Sequence, residues 1–379
     1  MKPFWSKNPA IKKALLIHPF GIGDALFVTP LIRTLKENGI EQIDLLLGSR
    51  TREIFQYNPN ICQIFEWDKS KPKNFQEKIK RWAYLVRLFC KIWNEHYPVV
   101  FDFSPTGQYA PISLFCFWIP TRVGFNFKQK GFFLTHKVDL PNGFSNQPMA
   151  EYYLDLVRLA GFEPKSRKAE FFLSQNEKHS TEALLQKFKI NSQIPIAAIA
   201  PGGGESWGQD ARLKRWPVQN FAALIRKFFE QRGVAGTILI LGSKNEWNLG
   251  NELTQQLREY AVSNLCGETS ISETAHLLKK SSFLIANDSG LVHLAHALDV
   301  PVVSIFGPVD PQVYGPYPKT QTSVAVTNEG PACRPCYQRF RYQASCVGVE
   351  CLNHLAPEYV YQQVEASGFF NAVKSEILK

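Results

Sequence analysis

The aspartate in "HPFGIGDALFVTPLIRTLKENG" (residues 18–39) stands where an acid can do chemistry. An apolar strand-like run, "ALLI", precedes the stretch, and an amphipathic helical run follows the glycines. Asp24 therefore falls at a strand-to-helix turn, where the positive end of the helix dipole favours an anion. Gly21 and Gly23 permit a tight turn and a close approach of backbone to ligand. Leu26 occupies the place of the third glycine of a dinucleotide fingerprint, and no G-K-[ST] follows to make a Walker A loop. From the turn alone two readings of Asp24 stay open, an N-cap and a carboxylate base.

Two further strand-to-helix junctions carry candidates. After "IPIAAIA" comes "PGGGESWGQDARLKRWP". Its Gly202 and Gly203 offer bare backbone to a diphosphate, and Lys214 or Arg215 would neutralise the charge. After "SSFLIA" comes "NDSGLVHLAHAL", in which Asp288, Ser289 and Gly290 supply N–H groups and a hydroxyl for phosphate. His293 and His296 follow on one helical face, and His296 reads as an ordinary packed residue. Neither H-E-x-x-H nor G-x-S-x-G occurs, so zinc hydrolysis and lipase-like acyl transfer have no motif here.

These turns need a frame of alternating strands and helices. In the first half "ALLIH", "QIDLLLG" and "VVFDFSP" read as strands, with helices over residues 25–38 and 75–94. "AEYYLDLVRLAGF" is a helix with Tyr153, Leu156, Val157 and Ala160 on one face, stopped by Gly161. The polar stretch at residues 163–180 reads as a link. Beyond it "IPIAAIA", "GTILILG", "SSFLIA" and "VPVVSIFGP" alternate with helices, one of which buries Phe221, Leu224, Ile225 and Phe228 and ends at Gly233. Such alternation implies parallel sheets with ligands at the strand C-termini, here in two Rossmann-like α/β halves with a cleft between them.

The chain of 379 residues carries a formal charge of +10, unevenly spread. Residues 69–93 hold eight Lys or Arg against one acid, Glu77, and residues 121–137 add Arg122, Lys128, Lys130 and Lys137 with no acid. Lys78, Lys80, Arg81 and Arg87 are expected on the outer face of a helix whose Trp82, Leu85, Val86 and Phe89 pack inward. Nucleic acid, an anionic membrane face or a phosphorylated substrate would each suit that surface, as would plain solvent. Four of the eight cysteines (Cys333, Cys336, Cys346, Cys351) form C-x2-C and C-x4-C pairs, spaced for a structural zinc cluster or for reduced, metal-free thiols. No apolar run approaches the ~18 residues of a membrane span, and the N-terminal apolar stretch is too short for a signal peptide, so a cytoplasmic location is expected.

In order along the chain, "GIGDALFVTPLIRTLK", "RVGF", "GFFLTHKV", "EYYLDLVRLAGF", "PGGG…KRWPVQNFAALI", "NLCGETSISETAHLLKKSSFLIANDSGLVHLAHALDVPVVSIFGPVDP" and the cysteine pairs resemble the ADP-heptose:lipopolysaccharide heptosyltransferases, glycosyltransferase family 9. The resemblance spans roughly residues 13–365. It implies a GT-B fold: an acceptor domain (residues 1–175), a nucleotide-sugar domain (176–355) and a C-terminal helix (356–379) crossing back to the first. It also implies inverting transfer of a heptose from ADP-heptose to a lipopolysaccharide-core or related glycolipid, with no cofactor and no obligatory metal.

Residue by residue, the resemblance makes Asp24 the general base, next to Gly23 on the acceptor side. Lys214 becomes the cation for the donor diphosphate. Asp288, Ser289 and Gly290 become the turn touching phosphate and sugar, with His293 behind it. Glu246, after the strand ending at Gly242, becomes an acid near the donor ribose. The basic surface would then hold a phosphorylated glycolipid at the inner membrane face rather than nucleic acid, through Lys78, Lys80, Arg81, Arg122, Lys128 and Lys130. Two alternatives remain: a relative using another nucleotide sugar, and a non-catalytic protein binding envelope sugars or nucleic acid. Asp24 discriminates, because a binding module has no need of a carboxylate facing the acceptor.

Overall fold

A computed structural model describes residues 11–67, 72–204, 208–232, 236–342, 346 and 348–377. Internal contacts divide the chain into Met1–Arg167 and Lys168–Lys379, a division that falls inside the polar stretch. Gly233, expected to end a helix, lies outside the described residues.

The first unit runs β1 (Lys13–His18), α1 (Ile22–Glu37), β2 (Gln42–Leu47), α2 (Arg52–Phe55), β3 (Gln63–Glu66), α3 (Phe75–Asn94), β4 (Val99–Asp102), α4 (Ala110–Phe115), β5 (Thr121–Phe127), β6 (His136–Leu140) and α5 (Met149–Ala160). Its six strands are parallel and lie in the order β3-β2-β1-β4-β5-β6. Apolar residues fill β1, β2 and β4 because both faces of the sheet are covered by helices. Pro30 sits inside α1 without breaking it. Proline has no N–H for the Leu26 carbonyl, and the Thr29 hydroxyl donates to that carbonyl instead, at 2.7 Å. Gly161 ends α5 in the left-handed conformation (φ 95°), as the sequence predicts.

The second unit runs α6 (Gln175–Lys187), β7 (Ile196–Ala200), α7 (Val218–Arg232), β8 (Thr237–Ile240), α8 (Trp247–Gln256), β9 (Ala261–Asn264), α9 (Ile271–Lys280), β10 (Phe283–Asn287), α10 (Gly290–Ala297), β11 (Val302–Phe306), α11 (Pro311–Tyr314) and β12 (Ser323–Thr327). The short hairpin of β13 (Tyr337–Gln338) and β14 (Arg341–Tyr342) follows, then α12 (Glu350–Asn353), α13 (Pro357–Ala366) and α14 (Phe369–Ile377). Its sheet is also six-stranded and parallel, ordered β12-β11-β10-β7-β8-β9. Phe221, Leu224, Ile225 and Phe228 of α7 are buried, as their spacing predicts. Val360, Tyr361, Val364, Phe369 and Val373 of α13 and α14 join that same core, with the Phe228 and Phe370 rings 4.9 Å apart.

Strand order reverses between β1 and β4 in one sheet and between β7 and β10 in the other. Chains leave neighbouring strands in opposite directions at such a point and open a crevice beyond the strand C-termini. The Asp24 turn follows β1, the triple glycine follows β7, and Asp288 follows β10. Topology thus places all three candidate turns at switch points.

Candidate active site

At the first switch point Gly21, not Asp24, occupies the N-cap of α1. Its backbone is extended (φ −82°, ψ −174°), so the turn does not require a glycine's left-handed conformation there. Asp24 comes third in the helix, half-buried in the first turn. Asp24 is therefore not the N-cap residue. What remains is a carboxylate in the first turn of a 16-residue helix, at its positive dipole end.

Immediately before this turn the chain lines a pocket of about 440 Å³ at the ends of β1, β2 and β3. Ile17, His18, Pro19 and Phe20 form one side, and Ser49, Arg50 and Thr51 another. Trp67 and Tyr109 make an aromatic wall, their rings 5.8 Å apart at 67°. Asp102, buried at the end of β4, holds the loop carrying Tyr109 by accepting from the backbone N–H groups of Ser104 and Tyr109, both at 2.9 Å. Burial pushes its carboxyl up to about 6 despite those bonds. Apolar ring faces with a cation at the rim suit a sugar carrying an anionic group.

His18 is fully buried among Phe20, Phe103 and Tyr153, with ring centroids at 5.6, 5.9 and 6.4 Å. Neither ring nitrogen has a hydrogen-bond partner among the described residues, and burial lowers its pKa from 6.5 to about 3. His18 is neutral at working pH and is no proton shuttle. The unfolded chain protonates this histidine below pH 6.5 while the folded chain refuses the proton until about 3. Stability is therefore lost as pH falls through that window, by up to about 1.4 kcal/mol per pH unit. His18→Phe should remove this component. Thermal midpoints of variant and parent should diverge as pH drops from 6.5 towards 4, and parallel curves would contradict the assignment.

At the second switch point the elements are tied by Asn287, whose amide donates to the Pro201 carbonyl (2.6 Å) and accepts from the Trp216 N–H (3.2 Å). These bonds bring together the glycine loop, the segment bearing Lys214 and Arg215, and the Asp288-Ser289-Gly290 turn. Lys214 and Asp288 are both buried and form an ion pair at 2.7 Å. Asp288, expected on phosphate or sugar, thus holds the lysine. Ser289 is the N-cap of α10, yet its hydroxyl caps nothing and has no partner among the described residues. The Arg215 Nε is likewise buried without a partner among the described residues. Burial drives the His293 pKa down to about 4, and His296 is buried too, its pKa lowered by burial.

Glu246 is tied into the same loops. Its carboxylate is buried and engaged by the protein itself, accepting from Gly204 N (3.1 Å), Ser243 N (2.8 Å) and Ser243 Oγ (3.1 Å). It fastens the glycine loop and caps the turn after Gly242. The same packing explains the glycines. A Cβ on Gly202 would lie 1.9 Å from Glu246 Oε1, and one on Gly203 would lie 2.4 Å from the Ala211 carbonyl oxygen.

The basic surface is partly as expected. α3 covers residues 75–94, is capped by Asn74, and exposes Lys78, Lys80 and Arg87, with Arg81 half-buried. Leu85 and Phe89 pack inward beside Leu88 and Ile92, but Trp82 and Val86 face solvent. Arg122 also leaves the expected surface. It is buried and donates to the carbonyls of Phe133, Ile119 and Pro120 at 2.7, 2.7 and 2.8 Å. Burial lowers its pKa. Lys128 and Lys130 are exposed. Cys333, Cys336, Cys346 and Cys351 are free thiols, and burial pushes Cys351 up to about 11. Among the described residues no group of three or more His, Cys, Asp or Glu is placed to hold a metal.

Comparison with known proteins bears on both units. The sequence model of glycosyltransferase family 9 (heptosyltransferase) matches residues 85–342. The chain is 24% identical over 315 residues to lipopolysaccharide heptosyltransferase 2 of Salmonella typhimurium, covering 80% of this chain and 85% of that one. With lipooligosaccharide heptosyltransferase 2 of Haemophilus influenzae it shares 32% identity over 140 residues, 35% of this chain and 38% of the other. The solved ADP-heptose lps heptosyltransferase II of Escherichia coli superimposes with a TM-score of 0.69 at 22% identity, over 95% of this chain and 99% of that one. Two parallel six-stranded sheets clothed in helices are thus the GT-B class of fold that the resemblance implies. The chain belongs to glycosyltransferase family 9, the heptosyltransferases, and is a glycosyltransferase.

Proposed function

We propose that this enzyme moves a heptosyl group from ADP-heptose to a hydroxyl of a lipopolysaccharide-core glycolipid, in one inverting displacement with Asp24 as the base. The carboxylate takes the proton of the acceptor hydroxyl while that oxygen bonds to the anomeric carbon. The bond from that carbon to the diphosphate oxygen breaks, and ADP departs with the electron pair. The observation that carries the reading is the position of Asp24: past the N-cap, half-buried, in the turn that follows the aromatic pocket.

In this reading the first unit receives the acceptor, its sugar against Trp67 and Tyr109 and its anionic group near Arg50. The second unit receives the nucleotide sugar. Charge developing on the departing diphosphate meets Lys214, Arg215, the Ser289 hydroxyl and the first N–H groups of α10. Asp288 keeps Lys214 in place, and Asn287 and Glu246 hold the loops in register. The names of the relatives support ADP-heptose and lipopolysaccharide.

A thermal-shift series with nucleotide sugars tests the donor. A ligand at 100 times its dissociation constant adds about 2.7 kcal/mol to stability. ADP-heptose and ADP should each raise the melting temperature, and UDP- and GDP-sugars should not. A shift produced by another nucleotide sugar alone would move the enzyme to a different donor.

A further inference from the structure

The cysteine-bearing segment is bound to the second switch point from two sides. On one side Cys336 and Tyr337 donate their backbone N–H groups to the Pro308 carbonyl, both at 3.1 Å. Arg334 donates to the carbonyls of Gly307 and Val309 at 2.5 and 3.4 Å, and to that of Asn328 at 2.7 Å. Gly307, Pro308 and Val309 follow directly on β11, and Ile305 within that strand accepts from the Asp288 N–H at 3.0 Å. Gly307 lets the segment come close, since a Cβ there would lie 2.7 Å from the Leu352 side chain. On the other side the Trp216 indole, two residues after Lys214, donates to the Leu355 carbonyl at 2.9 Å. The segment is thus pinned beside Asp288 at one end and beside Lys214 at the other.

Between these anchors the hairpin pairs Tyr337 with Tyr342 and Gln338 with Arg341. Its two-residue turn, Arg339-Phe340, holds both residues in the left-handed region (φ 54° and 62°), a conformation that ordinarily selects Asn-Gly. Neither residue favours that conformation by itself, so the surrounding anchors impose it. The turn fixes the register that sets the Tyr342 ring against Tyr337, at 5.5 Å, and Tyr337 packs on Tyr314 at 5.7 Å. The Tyr342 hydroxyl is buried. Burial raises its pKa, and the carboxylates of Asp288 and Asp210 raise it further, so the phenol keeps its proton. Asp210 is exposed and screened by water, whereas Asp288 is buried. A protonated phenol is a hydrogen-bond donor, presented here to the anionic member of the Lys214–Asp288 pair.

We propose that Tyr342 is a positioning residue of the nucleotide-sugar site, whose hydroxyl steadies the Asp288 carboxylate that holds the Lys214 ammonium for the diphosphate. The inference rests on the donor reading proposed above and extends it to the cysteine-bearing segment. A carboxylate held by one lysine alone can swing with that lysine. A second donor on a hairpin anchored at both ends fixes the carboxylate and, through it, the ammonium. In a site closed to water such a chain of polar contacts is stronger than each contact alone. The hairpin is then a wall of the donor site, and the segment that carries the cysteines is its frame.

The test uses the full chain and Tyr342→Phe, which removes one oxygen and keeps the ring. Calorimetry should show the dissociation constant for ADP raised about tenfold. The donor KM should rise with it, while the acceptor KM stays at the parent's value. Without nucleotide the melting temperature should fall by a few degrees, because a buried contact to a charged group is lost. In Lys214→Met/Asp288→Ala no carboxylate remains for the hydroxyl to act on. Adding Tyr342→Phe to that background should therefore change neither ADP affinity nor melting temperature.

Parent-like ADP affinity in folded Tyr342→Phe overturns the proposal. So do losses that persist undiminished in the Lys214→Met/Asp288→Ala background, since the hydroxyl would then meet the nucleotide directly or serve the hairpin alone. A parent that does not bind ADP sinks the donor reading separately. The proposal is then decided without nucleotide: it stands if the thermal cost of Tyr342→Phe disappears when the pair is removed, and falls if the cost is the same in both backgrounds.

Discussion

Asp24→Asn is expected to lower turnover about 100-fold or more with little change in donor affinity. Asparagine keeps the size and hydrogen-bonding shape of the side chain but has no basic lone pair for the acceptor proton. A positioned base contributes roughly 10²–10⁴-fold. Gly21 is the N-cap, so the substitution leaves the N-cap residue in place. The change in helix-dipole interaction is worth only about 0.3–1 kcal/mol. The loss should therefore appear in kcat, with melting temperature and ADP binding close to the parent's. Turnover near that of the parent would leave Asp24 as a first-turn acid and nothing more.

Lys214→Ala is expected to do two things at once, because the lysine is both buried and paired. Removing it strands the Asp288 carboxylate in the second unit, and breaking a buried pair in this way costs about 3–5 kcal/mol of stability. It also removes a charge-assisted contact to the diphosphate, which should weaken ADP binding about 10–100-fold. The effects separate in Lys214→Met/Asp288→Asn, which leaves no buried charge unpaired. That double variant should recover most of the lost stability and none of the ADP affinity. If calorimetry gives parent-like ADP affinity in a folded variant, the diphosphate is held elsewhere, with Arg215 the next cation to test.

The sheets were legible in the sequence because their central strands are buried on both faces and read as apolar runs between turn residues. β1, β2, β4, β7, β8, β10 and β11 all stand out in this way. β3, β6, β9 and β12 do not, since half-exposed strands such as "QIFE" and "AVSN" carry weak patterns, and β5, although buried, mixes arginine, glycine and asparagine with its apolar residues ("TRVGFNF"). Candidate turns followed from the strand ends, so Asp24, Lys214 and Asp288 were found. Their partners were not. The Lys214–Asp288 pair joins residues 74 positions apart in the chain, and Glu246 reaches Gly204 across 42. No local signal reports such contacts.

The aromatic pocket was missed for a different reason. "LLLGSRT" is a fourth strand-to-helix junction of the kind that held the other candidates, so Ser49 and Arg50 had a readable signal. Trp67 and Tyr109 had none, being single aromatics brought in from separate strand ends. On α3 the sequence separated cations from apolar residues but could not divide the apolar ones between core and solvent. Periodicity shows that a stripe exists; only packing shows that Leu85, Leu88 and Ile92 meet the sheet while Phe75, Ile79 and Trp82 do not. Arg122 was misread because composition counts a buried, carbonyl-bound guanidinium and a solvated one alike.

The most direct test of the account is a mass spectrum of the acceptor after incubation with ADP-heptose and purified enzyme. Parent protein should add one heptosyl residue to a heptose-accepting lipopolysaccharide-core glycolipid and release ADP in equal amount. Asp24→Asn, folded and still binding ADP, should leave the acceptor mass unchanged over the same time. Equal transfer by parent and variant, or none by the parent with this donor while another nucleotide sugar is consumed, would contradict the account.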